Sequence, residues 1–160
     1  MLLLLIAALL LGGCSDGHDS NSDRKRAAFP HDPFAGLERE GRDVLTRAEI
    51  ERAAAVKLPA RARRLHSYFS RALDTMVLVS FTVDRPGMEQ FIADSGVKGG
   101  LKTGTLGVAP PDGGELGWNL AGIRSFAGAR DRTRDGVYRR FTVDLDDPQQ
   151  PVVYLLAFGT

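Results

Sequence analysis

Cys14 is the only cysteine of the 160-residue chain, and a lone thiol offers nucleophilic attack, metal ligation or acylation. Ser22 followed by Lys25, with Lys102-Thr103-Gly104 far downstream, offers a serine–lysine arrangement for acyl transfer. His18, His31 and His66 are the only histidines. His18 beside Asp16 and Asp19, and His31 beside Asp32, supply nitrogen and carboxylate donors for a metal. Asp144, Asp146 and Asp147 could divide acid–base work or hold Ca²⁺. Trp118 beside Asn119, with Lys102 on the Gly-rich stretch before them, joins an aromatic ring, an amide and a cation, which suits contact with a ligand.

Most of this chemistry fails on spacing or setting. Lys102-Thr103-Gly104 matches the third motif of penicillin-binding proteins and serine β-lactamases. In those enzymes the serine opens a buried helix, whereas Ser22 sits in a polar stretch and no Ser-x-Asn lies between the two motifs. The run from Gly96 to Thr103 suggests a phosphate loop, but Leu101 stands where a Gly is required. His18 and His31 lie in a segment with no pre-organised site. His66 next to Ser67 has no defined Asp partner, so a nucleophilic triad is unsupported. The three aspartates precede Pro148 and read as a solvated turn. The expectation is therefore no catalytic residue, no metal site and no cofactor; Trp118, Asn119 and Lys102 remain as ligand-binding candidates, with core packing the competing role for Trp118.

Cys14 is different. Met1 to Leu11 is uncharged and nearly all Leu, Ile or Ala, and an apolar run of about a dozen residues has the length of a signal-peptide core, not of a span, which takes roughly 20. Leu11-Gly12-Gly13-Cys14, with Leu10 before it, resembles a bacterial lipobox. That resemblance implies cleavage before Cys14, a diacylglyceryl thioether on its sulfur, and a protein held on the extracytoplasmic face of the cell membrane. Two or three acyl chains anchor stably where one does not. No Lys or Arg precedes the Leu run, so the true start is expected upstream. A single Cys excludes any disulfide within the chain.

Net charge is +1, which supplies no global field for nucleic acid or strongly acidic partners. The expected organisation is a leader over 1–13, an acylated Cys14 with a flexible polar tether over 14–36, and one domain over 37–160. Ser15 to Phe34 is too polar to offset the entropy of ordering.

The domain must supply the elements that position any site. Thr46-Arg47-Ala48-Glu49 is a capping box, opening a short helix expected to reach Lys57 before Leu58-Pro59 stops it. Ala62–Arg71 reads as a strand. Val77, Val79, Phe81 and Val83 alternate as a buried strand face, while Met76 and Leu78 point the other way. Asp84 caps a helix whose Met88, Phe91 and Ile92 form one apolar stripe, with Gly96 as its stop. Gly96–Gly117 reads as a loop, Trp118–Phe126 as room for a short strand, and Ala127–Gly136 as an exposed charged loop. Val137–Leu145 and Val152–Phe158 form a closing hairpin, the last strand apolar on both faces and hence central. Phe81-Thr82-Val83-Asp84 recurs as Phe141-Thr142-Val143-Asp144, two similar strand ends. These elements predict an α+β fold: an antiparallel sheet of about four to five strands in two hairpins, one helix packed across it, and a short N-terminal helix.

Together the lipobox, the polar tether, the Leu58-Pro59 junction, the helix start at Asp84 and the Asp146-Asp147-Pro148 turn resemble small lipoproteins of high-GC Gram-positive bacteria. The resemblance implies a location and no activity. It sets two functional expectations: a non-enzymatic binding or accessory domain for an envelope protein or other envelope partner, or a small-ligand binder with 96–117 as its lid. A hydrolase is a third alternative. No nucleic-acid partner is expected.

Overall fold

The computed structural model describes residues 32–72 and 74–159. Cys14, Ser22, His18, His31, the leader and the tether up to residue 31 lie outside the described residues.

Seven strands form one antiparallel sheet: β1 (Gly41–Arg42), β2 (Arg63–Ser70), β3 (Thr75–Thr82), β4 (Lys102–Thr103), β5 (Phe126–Arg132), β6 (Tyr138–Asp144) and β7 (Val152–Gly159), in the spatial order β1-β2-β3-β7-β6-β5-β4. Two α-helices, α1 (Arg47–Ala53) and α2 (Arg85–Asp94), and two 3-10 segments, Pro110–Leu116 and Leu120–Gly122, complete the described chain. The expected sheet of four to five strands with one helix across it is corrected: the sheet has seven strands and the domain is strand-rich. β1 and β4 have two residues each, too few to carry a period. β5 reads as a charged loop in sequence because its buried face is Ala127, Ala129 and an ion-paired Asp131, which gives no hydrophobic alternation. The short strand expected near Trp118 is instead a 3-10 turn.

β7 lies between β3 and β6, in continuous register from Thr75↔Gly159 to Thr82↔Val152 on one side and from Tyr138↔Phe158 to Asp144↔Val152 on the other. A strand paired on both edges and covered on both faces needs apolar side chains at consecutive positions, which Val153, Leu155, Leu156 and Ala157 supply. On the first face, Phe69, Val77, Val79, Phe81, Phe141, Val143, Val153 and Leu155 pack under Ile50 of α1 and Met88 and Phe91 of α2. Phe91 meets Phe81 edge-on, ring centroids 5.1 Å apart, a favoured quadrupole geometry.

Both helices start where expected. Thr46 Oγ1 accepts from the Glu49 amide and Glu49 Oε2 from the Thr46 amide, and Asp84 Oδ1 accepts from the Gly87 amide at 2.9 Å. The first helix ends at Ala53, four residues short of Lys57. Ala55 takes a φ of 49°, which no helix continues, and its carbonyl accepts from Arg139 Nη1 at 2.7 Å. Phe34, placed in the tether by composition, is buried and packs against Gly159.

The second face is only partly covered. The segment after β4 folds back so that Val108 and Leu120 are buried on Leu78 and Leu156, with Trp118, Leu116 and Ile123 around them. Thr142 Oγ1, fully buried, holds this segment down by accepting from the amides of Gly107 and Val108, both at 3.0 Å. Only glycine fits at Gly107, where a Cβ would collide with the carbonyl oxygens of Phe141 and Ala129.

Candidate functional site

Register places two rows of side chains on the second face, the first bordering its uncovered part and the second running under Val108 and Leu120 at Leu78 and Leu156. Met76, Phe158, Tyr138 and Arg132 are successive cross-strand partners along β3-β7-β6-β5. Leu78, Leu156, Arg140 and Arg130 form the next row. Opposed residues in an antiparallel pair are close enough to interact directly, and here they form a ladder. The Arg132 guanidinium lies over the Tyr138 ring, 4.5 Å from its centroid. Tyr138 and Phe158 are stacked at 5.2 Å with 13° between planes. Arg140 lies 5.3 Å from the Phe158 centroid.

The 3-10 segment Pro110–Leu116 borders this ladder. Its Asp112 Oδ2 accepts from the Ala109 amide at 3.0 Å and from Arg140 Nη1 at 3.3 Å, tying the segment to the sheet. Arg42 Nη2 donates to the Glu115 carbonyl at 2.6 Å from the β1 side. Between them lies an open cleft of about 250 Å³, floored by Met76 and Leu156 and rimmed by Pro111, Asp112, Gly114 and Glu115. Sites that enclose a drug-sized ligand run from about 300 to 1,000 Å³, so this cleft is a notch on a flat surface. Aromatic rings and arginines on such a surface are the side chains that dominate protein interfaces.

Trp118 lies on this same face, but in the packed part. Its ring meets Tyr154 edge-on at 5.1 Å, and Gly113 has no room for a Cβ because the indole fills that space. The indole Nε1 is buried without a hydrogen-bond partner among the described residues. Burial pushes the Tyr154 phenol above its usual pKa, with Asp144 adding to the effect. Asn119 is exposed. Lys102 sits on β4, three strand positions from β7, so the structure does not bring Lys102 together with Trp118 and Asn119.

His66 has a partner that sequence reasoning missed. Its Nδ1 lies 3.2 Å from Asp43 Oδ2, and Asp43 Oδ1 accepts from the Ser67 amide at 2.8 Å. Burial raises the Asp43 pKa, but the Ser67 amide, His66 and Arg42 outweigh it and hold the carboxyl below the usual carboxylate range. Asp43 adopts a φ of 53° and its own amide donates to the Ser67 carbonyl, so the carboxylate stitches β1 onto β2. The pair is well exposed, at 56% for His66 and 47% for Asp43, and no Ser or Thr hydroxyl hydrogen-bonds to His66 among the described residues. Twenty-three residues and a positive φ separate the partners, which no local pattern announces.

Asp144, Asp146 and Asp147 act as turn acceptors. Asp146 takes the amides of Ser125 at 2.7 Å and Arg124 at 3.1 Å, Asp144 takes the Asp146 amide, and Asp147 that of Gln149. Among the described residues no group of three or more His, Cys, Asp or Glu is placed to hold a metal ion, and no helix is long and apolar enough to cross a membrane. Comparison with protein-family models, with curated proteins and with solved structures finds no significant match to this chain in any of the three.

Proposed function

We propose that this chain is a lipid-anchored protein of the extracytoplasmic membrane face whose folded domain is a binding module for an envelope protein, not an enzyme. The anchor rests on Leu10-Leu11-Gly12-Gly13-Cys14. The observation that carries the binding role is the Arg132–Tyr138–Phe158–Arg140 ladder on the uncovered part of the second sheet face. Its chemistry fits a partner segment with apolar side chains for Met76, Tyr138 and Phe158 and a carboxylate for Arg132, Arg140 being already paired with Asp112. The packing of Val108, Leu120 and Trp118 onto Leu78, Leu156 and Tyr154 favours this over a loop-lid ligand site, since the space beneath the segment is filled with side chains.

The test is affinity capture from native membranes with residue-specific cross-linking at position 132. A single partner cross-linked there, and released by Tyr138→Ala with Phe158→Ala, supports the reading. Interface aromatics cost about 2 kcal/mol or more on truncation, roughly thirty-fold in affinity. Capture that survives the double substitution rules the ladder out. Cys14→Ala is expected to release the protein from the membrane, and mass spectrometry of the N-terminus reads the acyl group directly.

A further inference from the structure

We infer that the corner of the domain between α1 and β2 is a docking surface for anionic lipid headgroups, which orients the anchored domain on its membrane. From Arg52 to Arg64 the chain carries Arg52, Lys57, Arg61, Arg63 and Arg64 and no carboxylate. All five are exposed. Among the described residues none of the five lies within 4 Å of a carboxylate; other cations such as Lys98, Lys102 and Arg132 also lack one, but only here do five fall within thirteen residues with no acid between them. The nearest acid in sequence, Glu51, is already committed to Arg47 and to the Leu58 amide. In a chain of net charge +1, this segment is a local excess of one sign; Asp84, Asp144, Asp146 and Asp147 lie toward the same end of the sheet, at the ends of β3 and β6, which confines the surface to the α1–β2 corner.

The backbone reinforces it. The β2–β3 register shifts between Arg63 and His66, a bulge, and Arg64 takes a φ of 50°. Strand alternation alone would send Arg63 and Arg64 to opposite faces; the bulge breaks that alternation, and both side chains are exposed. The same bulge spoils the edge for a pairing strand, which argues against an added peptide strand and for a surface contacted through side chains alone.

Geometry permits the contact. The described chain begins at Asp32, beside Phe34, which packs on Gly159 at the Thr75↔Gly159 end of the sheet. Arg63 pairs with Thr82 at the opposite end. β3 spans about 24 Å between these ends, while the eighteen residues from Cys14 to Asp32 reach at most roughly 60 Å. An acyl anchor at Cys14 therefore lets the basic corner touch the bilayer. With that corner down, the Tyr138–Phe158 end of the sheet faces away from the membrane, which presents the ladder to a partner. The docking inference rests on the anchor reading for its biological setting, and its test does not depend on acylation.

The test uses the mature chain from residue 14 carrying Cys14→Ser, sedimented with vesicles of phosphatidylcholine alone or of phosphatidylcholine mixed with phosphatidylglycerol. Salt-sensitive binding to the anionic vesicles only is expected, about five-fold weaker for each cation removed and roughly a hundred-fold weaker for Arg61→Gln/Arg63→Gln/Arg64→Gln. Lys57→Gln/Arg61→Gln, outside the strand, serves where the triple variant unfolds and should lose about twenty-five-fold. Equal binding to both vesicle types overturns the inference. So does loss of binding on neutralising Arg24, Lys25 and Arg26 with the corner intact, or preference for a soluble polyphosphate over the vesicles. An unacylated native N-terminus with anionic-vesicle binding intact would sink the anchor reading and leave the corner standing; an acylated chain without lipid preference does the reverse.

Discussion

Arg139 and Asp131 form a bidentate ion pair across β5 and β6, Nε to Oδ1 at 2.9 Å and Nη2 to Oδ2 at 2.6 Å, with both side chains 3% exposed. The third donor, Nη1, holds the Ala55 carbonyl at 2.7 Å, so one guanidinium joins the β5–β6 hairpin to the residues that end α1. Every charge here is matched, which is the condition for burying it.

Breaking that pair on one side leaves an uncompensated buried charge. Asp131→Ala or Arg139→Ala is expected to cost about 3–5 kcal/mol, read as a lowered urea midpoint. A double replacement by apolar residues of similar volume should recover most of the loss. Two single variants that together cost no more than an exposed pair, about 1 kcal/mol, would show the bridge to be unimportant.

Thr142→Val keeps the shape of the buried side chain and removes the acceptor for Gly107 and Val108. Two buried amides then lack partners at about 1–3 kcal/mol each, and the segment from Leu106 to Leu120 should gain fast amide hydrogen exchange. Unchanged protection of Val108 would count against this clamp. Gly107→Ala, which sets a methyl against two carbonyl oxygens, is expected to be the more damaging of the two.

Trp118 is the only tryptophan, so its fluorescence reports on the covered part of the second face directly. Trp118→Ala should destabilise by about 2 kcal/mol, below the 3–5 of a wholly buried aromatic because the residue is half-buried. It should leave partner capture through Tyr138 and Phe158 intact. Loss of capture with unchanged stability would return Trp118 to a ligand-contacting role.

Acid should unfold the domain through its turns. The Ser125 amide, followed by the amide and guanidinium of Arg124, holds the Asp146 carboxyl below its ordinary value against a smaller opposing burial effect. The Thr46 amide and hydroxyl do the same for Glu49, and Asp43 is also lowered. A folded pKa below the unfolded one means that the unfolded chain binds more protons as pH falls. The stabilisation is then complete above the unfolded carboxylate range near about 4 and is lost as pH drops through the folded values. Stability measured by urea should be flat from neutrality to about pH 5 and fall below about 4, and Asp146→Asn should shallow that slope. An unchanged slope in the variant would remove Asp146 from the account.

Local sequence specifies those features whose side chain and backbone contact are neighbours along the chain. Thr46 with Glu49, and Asp84 with Gly87, are three residues apart, and both caps stand. The alternation of Val77, Val79 and Phe81 and the two-faced apolarity of Val152–Phe158 follow from burial on one or both sides of a sheet. β5 escaped because its inward positions are two alanines and an aspartate, apolar only once Arg139 neutralises Asp131. The ladder escaped for a similar reason: Arg132, Tyr138, Arg140 and Phe158 sit on three strands, and no sequence window contains their register.

By itself, then, the sequence determined the lone Cys14 behind an apolar run, the helix caps and the strands whose burial pattern repeats every two residues, because each depends on groups within a few residues of one another. The tertiary structure alone decided the seven-strand order, the Asp43–His66 contact, the Arg139–Asp131 bridge and the packing of Trp118. Each of those sets side chains from distant segments within a few ångströms, and only the register of the whole sheet and the filling of its two faces fix such distances.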